Sequence, residues 1–125
     1  METRSNYKKL NAYIESKELV KCVYSLLENF PKHEQYALCD QLRRAVISIP
    51  SNIAEGMGRI FVKEQVHFLE IAFGSLMEVD AQLDIARELS YITEDEYEMV
   101  GNHIDIVASL LSGLRNKRLP QTTHH

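Results

Sequence analysis

This sequence predicts an all-α fold, an antiparallel up-down-up-down four-helix bundle, and three observations carry the prediction. Apolar residues recur at spacings of three and four through four long stretches, the period of a helix with one buried face. Proline, paired glycines and a Thr-x-x-Glu box fall between those stretches, which are stop and start signals for helices. No segment alternates as a strand does, and no repeat or low-complexity tract interrupts the pattern. Short connections then make consecutive helices antiparallel neighbours.

The first helix is expected over Leu10 to Phe30, with Ala12, Ser16, Leu19, Val23, Leu26 and Phe30 on one face. Pro31 stops it, because the residue before a proline is pushed out of the helical region. The second helix should begin near Glu34 and carry Leu38, Leu42, Val46, Ile49 and Ile53 inward. Pro50 lies inside that pattern. It cannot donate to the Val46 carbonyl and its ring crowds the same group, so a kink is expected there, or else a break into two short helices. The hydroxyls of Ser48 or Ser51 are candidates to satisfy the freed backbone. Gly56 and Gly58 are expected to supply the positive-φ positions that end the helix.

The third helix is expected from Lys63 to Leu89, on the order of 40 Å long, burying Phe68, Leu69, Ala72, Leu76, Val79, Leu83 and Ala86. Thr93 and Glu96 form a capping box that starts the fourth at Glu94. That helix runs to Arg115 with Tyr97, Val100, Ile104, Val107, Leu111 and Leu114 inward, and Arg115, Lys117 and Arg118 complement its negative end. The chain thus divides into a flexible N-terminus (1–9), a bundle (10–118) and a disordered tail (119–125).

At 125 residues the chain is long enough to fold around its own core without staples. Hydrophobic residues make up 45% and charged ones 26%, the mixture of a soluble globular domain. A net charge of −4 lacks the basic excess of a dedicated nucleic-acid binder. Cys22 and Cys39 fall inside predicted helices and read as reduced thiols. The segment Met1 to Lys9 has no apolar run of a signal peptide, and no window approaches the ~20 apolar residues of a membrane span. The expectation is a cytoplasmic protein with no membrane partner.

Helices two and three carry a second informative face. At 100° per residue, Arg44, Ser48, Asn52, Glu55 and Arg59 gather about 120° from the Leu42/Val46/Ile49 stripe. Ile71, Ser75, Glu78, Gln82, Ile85 and Leu89 gather likewise on helix three. One reading is a solvated face with scattered apolar residues. The favoured one is a subunit interface or polar layer, with Arg44 paired to Glu55 or Glu78 and Asn52 bridging backbone groups. Small residues (Ser48, Gly56, Gly74, Ser75) would allow close helix approach, and such charge-assisted bonds fix register. A homo-oligomer follows.

Gln41-Leu42-Arg43-Arg44-Ala45 and Ser48-Ile49-Pro50-Ser51-Asn52-Ile53-Ala54-Glu55-Gly56 resemble the 23S rRNA-intervening-sequence protein family. The likeness continues through Phe68-Leu69-Glu70-Ile71-Ala72-Phe73-Gly74-Ser75-Leu76-Met77-Glu78 and Ala86-Arg87-Glu88-Leu89, and covers residues 10 to 115. The resemblance implies a small antiparallel four-helix bundle assembled as a ring-like pentamer, with Arg44, Asn52, Glu55, Ser75 and Glu78 as signature polar residues. A related branch, the accessory proteins of diversity-generating retroelements, binds a reverse transcriptase and nucleic acid through a basic pentamer surface. This chain departs from its relatives in its acidic balance and in placing Ile60-Phe61-Val62 where many carry a Ser or Thr cap.

Reactive chemistry is sparse. Glu64-x-x-His67 has the spacing of di-iron bundles, but those need a second copy and two further glutamates, and His103 has no glutamate at the required offset. Gly56-Met57-Gly58 lacks the strand and spacing of a phosphate loop. No Cys or His cluster has zinc spacing, and nothing marks a nucleophile elbow. The expectation is a non-enzymatic scaffold or adaptor without cofactor or metal, binding copies of itself and a protein partner. The alternative is an RNA or single-stranded DNA binder using Arg43, Arg59, Lys63, Arg115, Lys117 and Arg118, a modest cluster that five copies would multiply.

Overall fold

The computed structural model of the chain describes residues 6–122. Four long helices make up the fold: α1 (Asn11–Leu27), α2 (Leu38–Met57), α3 (Val62–Glu88) and α4 (Glu94–Thr122). Single 3-10 turns at Tyr7–Lys9 and Lys32–Glu34 precede α1 and α2. Each helix packs on its chain neighbours and α1 also packs on α4, which closes the four around one core. Where α2 meets α3, Gln41 reaches Gln82, Ser48 reaches Ser75 and Gly56 lies against Phe68. Numbers fall on one helix as they rise on the other. Between α3 and α4 the pairs are Asp80 with Tyr97 and Gln65 with Arg118, again in opposite order.

The core is the predicted stripes brought together. Leu19, Val23, Leu42, Val46, Ile49, Ile53, Leu76, Val79, Leu83, Val100 and Val107 are fully buried, and each such side chain contributes about 1.5–3 kcal/mol by leaving water. Cys39 is buried among them and Cys22 half-buried, both as free thiols. Desolvation raises the pKa of each, which keeps them protonated and unreactive.

Local chemistry moves two predicted boundaries. α1 ends at Leu27, short of Phe30, because the amides of Glu28, Asn29 and Phe30 bond the carbonyls three residues back and wind the chain into a tighter turn. α2 begins at Leu38, well after Glu34. The Gln35 side-chain amide donates to the carbonyls of Leu27 (3.1 Å) and Phe30 (3.3 Å), and Arg43 occupies the Gln35 carbonyl at 3.2 Å. That carbonyl is therefore committed to a guanidinium, and the helix starts downstream.

α2 is one continuous helix through Pro50, so the break into two pieces does not occur. The serine hydroxyls expected on the freed backbone are elsewhere: Ser48 Oγ bonds Ser75 and Asn52, and Ser51 is exposed. Neither glycine at the end of α2 has positive φ. The Gly58 amide instead bonds the carbonyls of Ala54 and Glu55, both at 3.2 Å. Gly56 is buried inside the helix, where a Cβ would sit 3.0 Å from Phe68 Cβ. Its role is close approach of α2 to α3.

α3 ends in a Schellman motif, with Tyr91 N–H on the Ala86 carbonyl (2.8 Å) and Ser90 N–H on that of Arg87 (2.9 Å). Ser90 takes the left-handed conformation this requires, φ 63°. The capping box at α4 forms as predicted: Glu96 N–H donates to Thr93 Oγ1 (3.0 Å) and Thr93 N–H to Glu96 Oε1 (2.9 Å). α4 continues beyond Arg115 to Thr122 and takes in Pro120. Residues 1–5 and 123–125, which hold most of the expected flexible terminus and the end of the expected tail, lie outside the described residues.

Candidate functional site

The second faces of helices two and three come together as one outward surface along the α2–α3 seam. Ser48 Oγ and Ser75 Oγ are 2.9 Å apart. Asn52 Nδ2 donates to the Ser48 carbonyl (2.8 Å) and to Ser48 Oγ (2.9 Å), so it does bridge a backbone group. Farther along, Gln82 Nε2 donates to Gln41 Oε1 (3.2 Å) and Glu78 Oε2 (3.1 Å). Gln82 is buried, and its Oε1 has no partner among the described residues. An orphaned buried acceptor costs on the order of 1–3 kcal/mol, so this seam is not optimised for the stability of a lone chain.

The expected ion pairs of Arg44 do not form within the chain. Glu55 pairs with Arg59 at 2.7 Å, one turn away on the same helix. Glu78 is held by Gln82 from its own helix. Position i+4 on one helix reaches these carboxylates with less side-chain ordering than a crossing from Arg44 needs. Arg44 is left exposed, with no ion pair to any described residue. The α3 side of the seam also carries exposed Ile71 and Ile85 (52% exposed), with Leu89 (51%) at the C-cap of the helix.

The six proposed nucleic-acid residues separate. Arg43 lies near the start of α2, bonded to Asp40 (2.9 Å) and to Gln35, and it does not join the others. Its work is to build the α1–α2 connection. The other five meet at the opposite end of the bundle. Arg59 stacks over Phe68 at 4.7 Å and Arg115 lies 6.0 Å from the Phe73 ring. Arg118 bonds Gln65 Oε1 and the Leu114 carbonyl, both at 2.9 Å. Lys63 and Lys117 are exposed.

One polar cluster went unassigned by sequence reasoning. Arg87 bonds Asp84 and Glu94 and lies 4.8 Å over the Tyr97 ring. The Tyr97 hydroxyl donates to Asp80 at 3.0 Å. Its pKa is pushed up to about 12, chiefly by burial and then by that bond. Hydrogen bonds to Asp84 and Glu94 hold Arg87 above even its ordinary range. The cluster ties α3 to α4 across their connection. Its one signal in the sequence is that Arg87 lies inside a quoted family segment. Glu64 and His67 are both exposed on α3. Among the described residues no three His, Cys, Asp or Glu side chains converge to hold a metal ion, and no helix is long and apolar enough to cross a membrane.

A model of the 23S rRNA-intervening sequence protein family matches residues 8–113. The chain belongs to this family. The match takes in the α2–α3 seam and stops within α4. A crystal structure from Bacteroides thetaiotaomicron VPI-5482, a protein with unknown function from the S23 ribosomal protein family, shares the fold with a TM-score of 0.74. The two are 23% identical over 83% of this chain and 97% of that one, a likeness that speaks to fold alone. No curated protein matches.

Proposed function

We propose that this 23S rRNA-intervening sequence family protein is a non-enzymatic scaffold that associates with copies of itself through the α2–α3 face. The observation that supports it is that an exposed, ion-pair-free Arg44 on α2 and exposed Ile71, Ile85 and Leu89 on the α3 side border one polar seam. Exposed apolar side chains and an uncommitted guanidinium on one face suit a subunit interface, where Arg is enriched and apolar area is buried. The ring of five that the family resemblance implies is the assembly proposed. Two free thiols, Cys22 and Cys39, suit a reducing compartment and support a cytoplasmic scaffold.

Sedimentation at micromolar concentration tests the reading. The native chain should sediment well above 14.4 kDa. Arg44→Glu and Ile85→Ser should each lower the mass while leaving helicity intact, because neither side chain has a buried role in the single chain. A lone 14.4 kDa particle for the native protein would end the proposal.

A further inference from the structure

The two ends of the bundle carry opposite charge. At one end lie residues 6–11, 55–65 and 114–120, with Lys8, Lys9, Arg59, Lys63, Arg115, Lys117 and Arg118 against only Glu55 and Glu64. They are brought together by Arg118, which reaches both Gln65 and Met57 Sδ, and by a shallow cleft joining Leu10 and Asn11 to Leu114 and Lys117. The far end, residues 28–41 and 80–98, carries ten carboxylates against Lys32 and Arg87. At the tip of the basic end, between α2 and α3, stand Ile60 (87% exposed) and Phe61 (68% exposed). They are adjacent, apolar and uncovered.

Helix dipoles account for only part of this charge. Arg115, Lys117 and Arg118 lie on α4 ahead of its last turn, which holds no basic residue, so the dipole favours them weakly. Lys8 and Lys9 precede the first turn of α1, and Lys63 lies in the first turn of α3. There the dipole disfavours a cation, so these three work against the local field of the fold. Phe61 is also the N-cap of α3 and makes no side-chain cap, a position where Ser, Thr, Asp or Asn would stabilise the helix. Both features cost the isolated chain and both face outward at the same tip.

We infer that this end docks on an anionic lipid surface, with Ile60 and Phe61 entering the headgroup–acyl boundary and the lysines and arginines lying against the headgroups. An exposed apolar pair at the same end of the bundle as a set of cations is the arrangement that adds hydrophobic insertion to attraction by anionic lipid. The acidic far end points the same way: it is repelled by the surface that attracts its opposite, so the bundle stands on its basic tip. This is contact with a membrane face, which needs no spanning helix. It does not rest on self-association.

Phe61→Trp supplies the chain's single tryptophan at the tip itself, and is tested as full-length protein with phosphatidylserine–phosphatidylcholine vesicles. Emission should shift to the blue and become shielded from an aqueous quencher, and native protein should co-sediment with these vesicles and not with pure phosphatidylcholine. Ile60→Ala/Phe61→Ala, which touches no buried residue, should weaken binding at least about tenfold. Unchanged emission on adding vesicles overturns the inference. So does emission already blue and concentration-dependent without vesicles, which would assign the tip to a second copy. Equal binding by the double variant, displaced by single-stranded RNA, would assign the cations to a nucleic acid and overturn it too.

Discussion

Replacing Gly56 with alanine sets two known effects against each other. In an open helix position the change is stabilising by about 1 kcal/mol, since alanine loses less backbone entropy. At Gly56 the new Cβ would meet Phe68 Cβ at 3.0 Å and the Gln65 carbonyl oxygen at 3.3 Å. Carbon pairs prefer about 3.5–4.0 Å. Neither neighbour is the end of a flexible side chain: one is a Cβ and the other is backbone, so α3 as a whole must give way. Overpacking of that kind costs about 1–3 kcal/mol, and the net expectation is a loss of roughly 1 kcal/mol after the propensity gain. Gly74 and Gly113 are exposed in α3 and α4 with nothing within 4 Å of a built Cβ. Their alanine variants should gain about 0.5–1 kcal/mol. Urea unfolding followed by helical circular dichroism should therefore separate Gly56→Ala from Gly113→Ala by roughly 2 kcal/mol, or some 6–10 °C in Tm. If Gly56→Ala proves as stabilising as Gly113→Ala, the close approach of α2 and α3 is not what requires a glycine, and the reasoning fails.

Ser90→Gly should stabilise by about 1 kcal/mol, because serine pays a steric penalty at positive φ that glycine does not; thermal melts of the pair decide it. Thr93→Ala removes the Oγ1 that accepts from the Glu96 amide, while the backbone amide of residue 93 can still donate to Glu96; it should cost about 1 kcal/mol, with early fraying of α4 visible in amide exchange of residues 94–97. Tyr97 has a folded pKa raised above its ordinary 10.0 to about 12. Its contribution is complete below the ordinary value and is lost as pH rises from 10 toward 12. Native protein should lose stability across that window, Tyr97→Phe should lose less of it, and the latest-ionising tyrosine seen at 295 nm should vanish in the variant.

The elements most legible in the sequence are those fixed by local chemistry. Val62–Glu88 and the Glu94 start of α4 fall within a residue of the prediction, because a periodic stripe bounded by a capping box leaves little freedom. Angular position groups Ser48 with Asn52 on one helix and Ser75 with Gln82 on the other, but which of them meet is set by the register of the packed helices. What escaped depends on how far a side chain reaches. Gln35 hooks onto the end of α1 and so delays α2, although nothing in its own segment forbids helix. Gly56 reads both as a helix stop and as a small residue for close approach, and only Phe68 lying behind it decides between the two. The rotation that places Arg44 near Glu55 and Glu78 cannot reveal that Arg59 and Gln82 hold those carboxylates first.

The two proposed surfaces have a geometric consequence when taken together. In a closed ring of identical copies, equivalent points lie on one circle in one plane. Whatever tilt the copies adopt, all Ile60–Phe61 tips then share a level, and the acidic ends share another. One tip offers two apolar side chains and a handful of cations, which suffices for reversible contact; several tips at one level bind as a unit, with a gain set by effective concentration. Ile85→Ser lies on the α3 face and leaves the tip untouched. It should nevertheless weaken vesicle binding in step with its loss of mass, whereas Ile60→Ala/Phe61→Ala should weaken binding with the mass unchanged. A variant that dissociates but binds vesicles as tightly as the native chain would show that the two surfaces act independently.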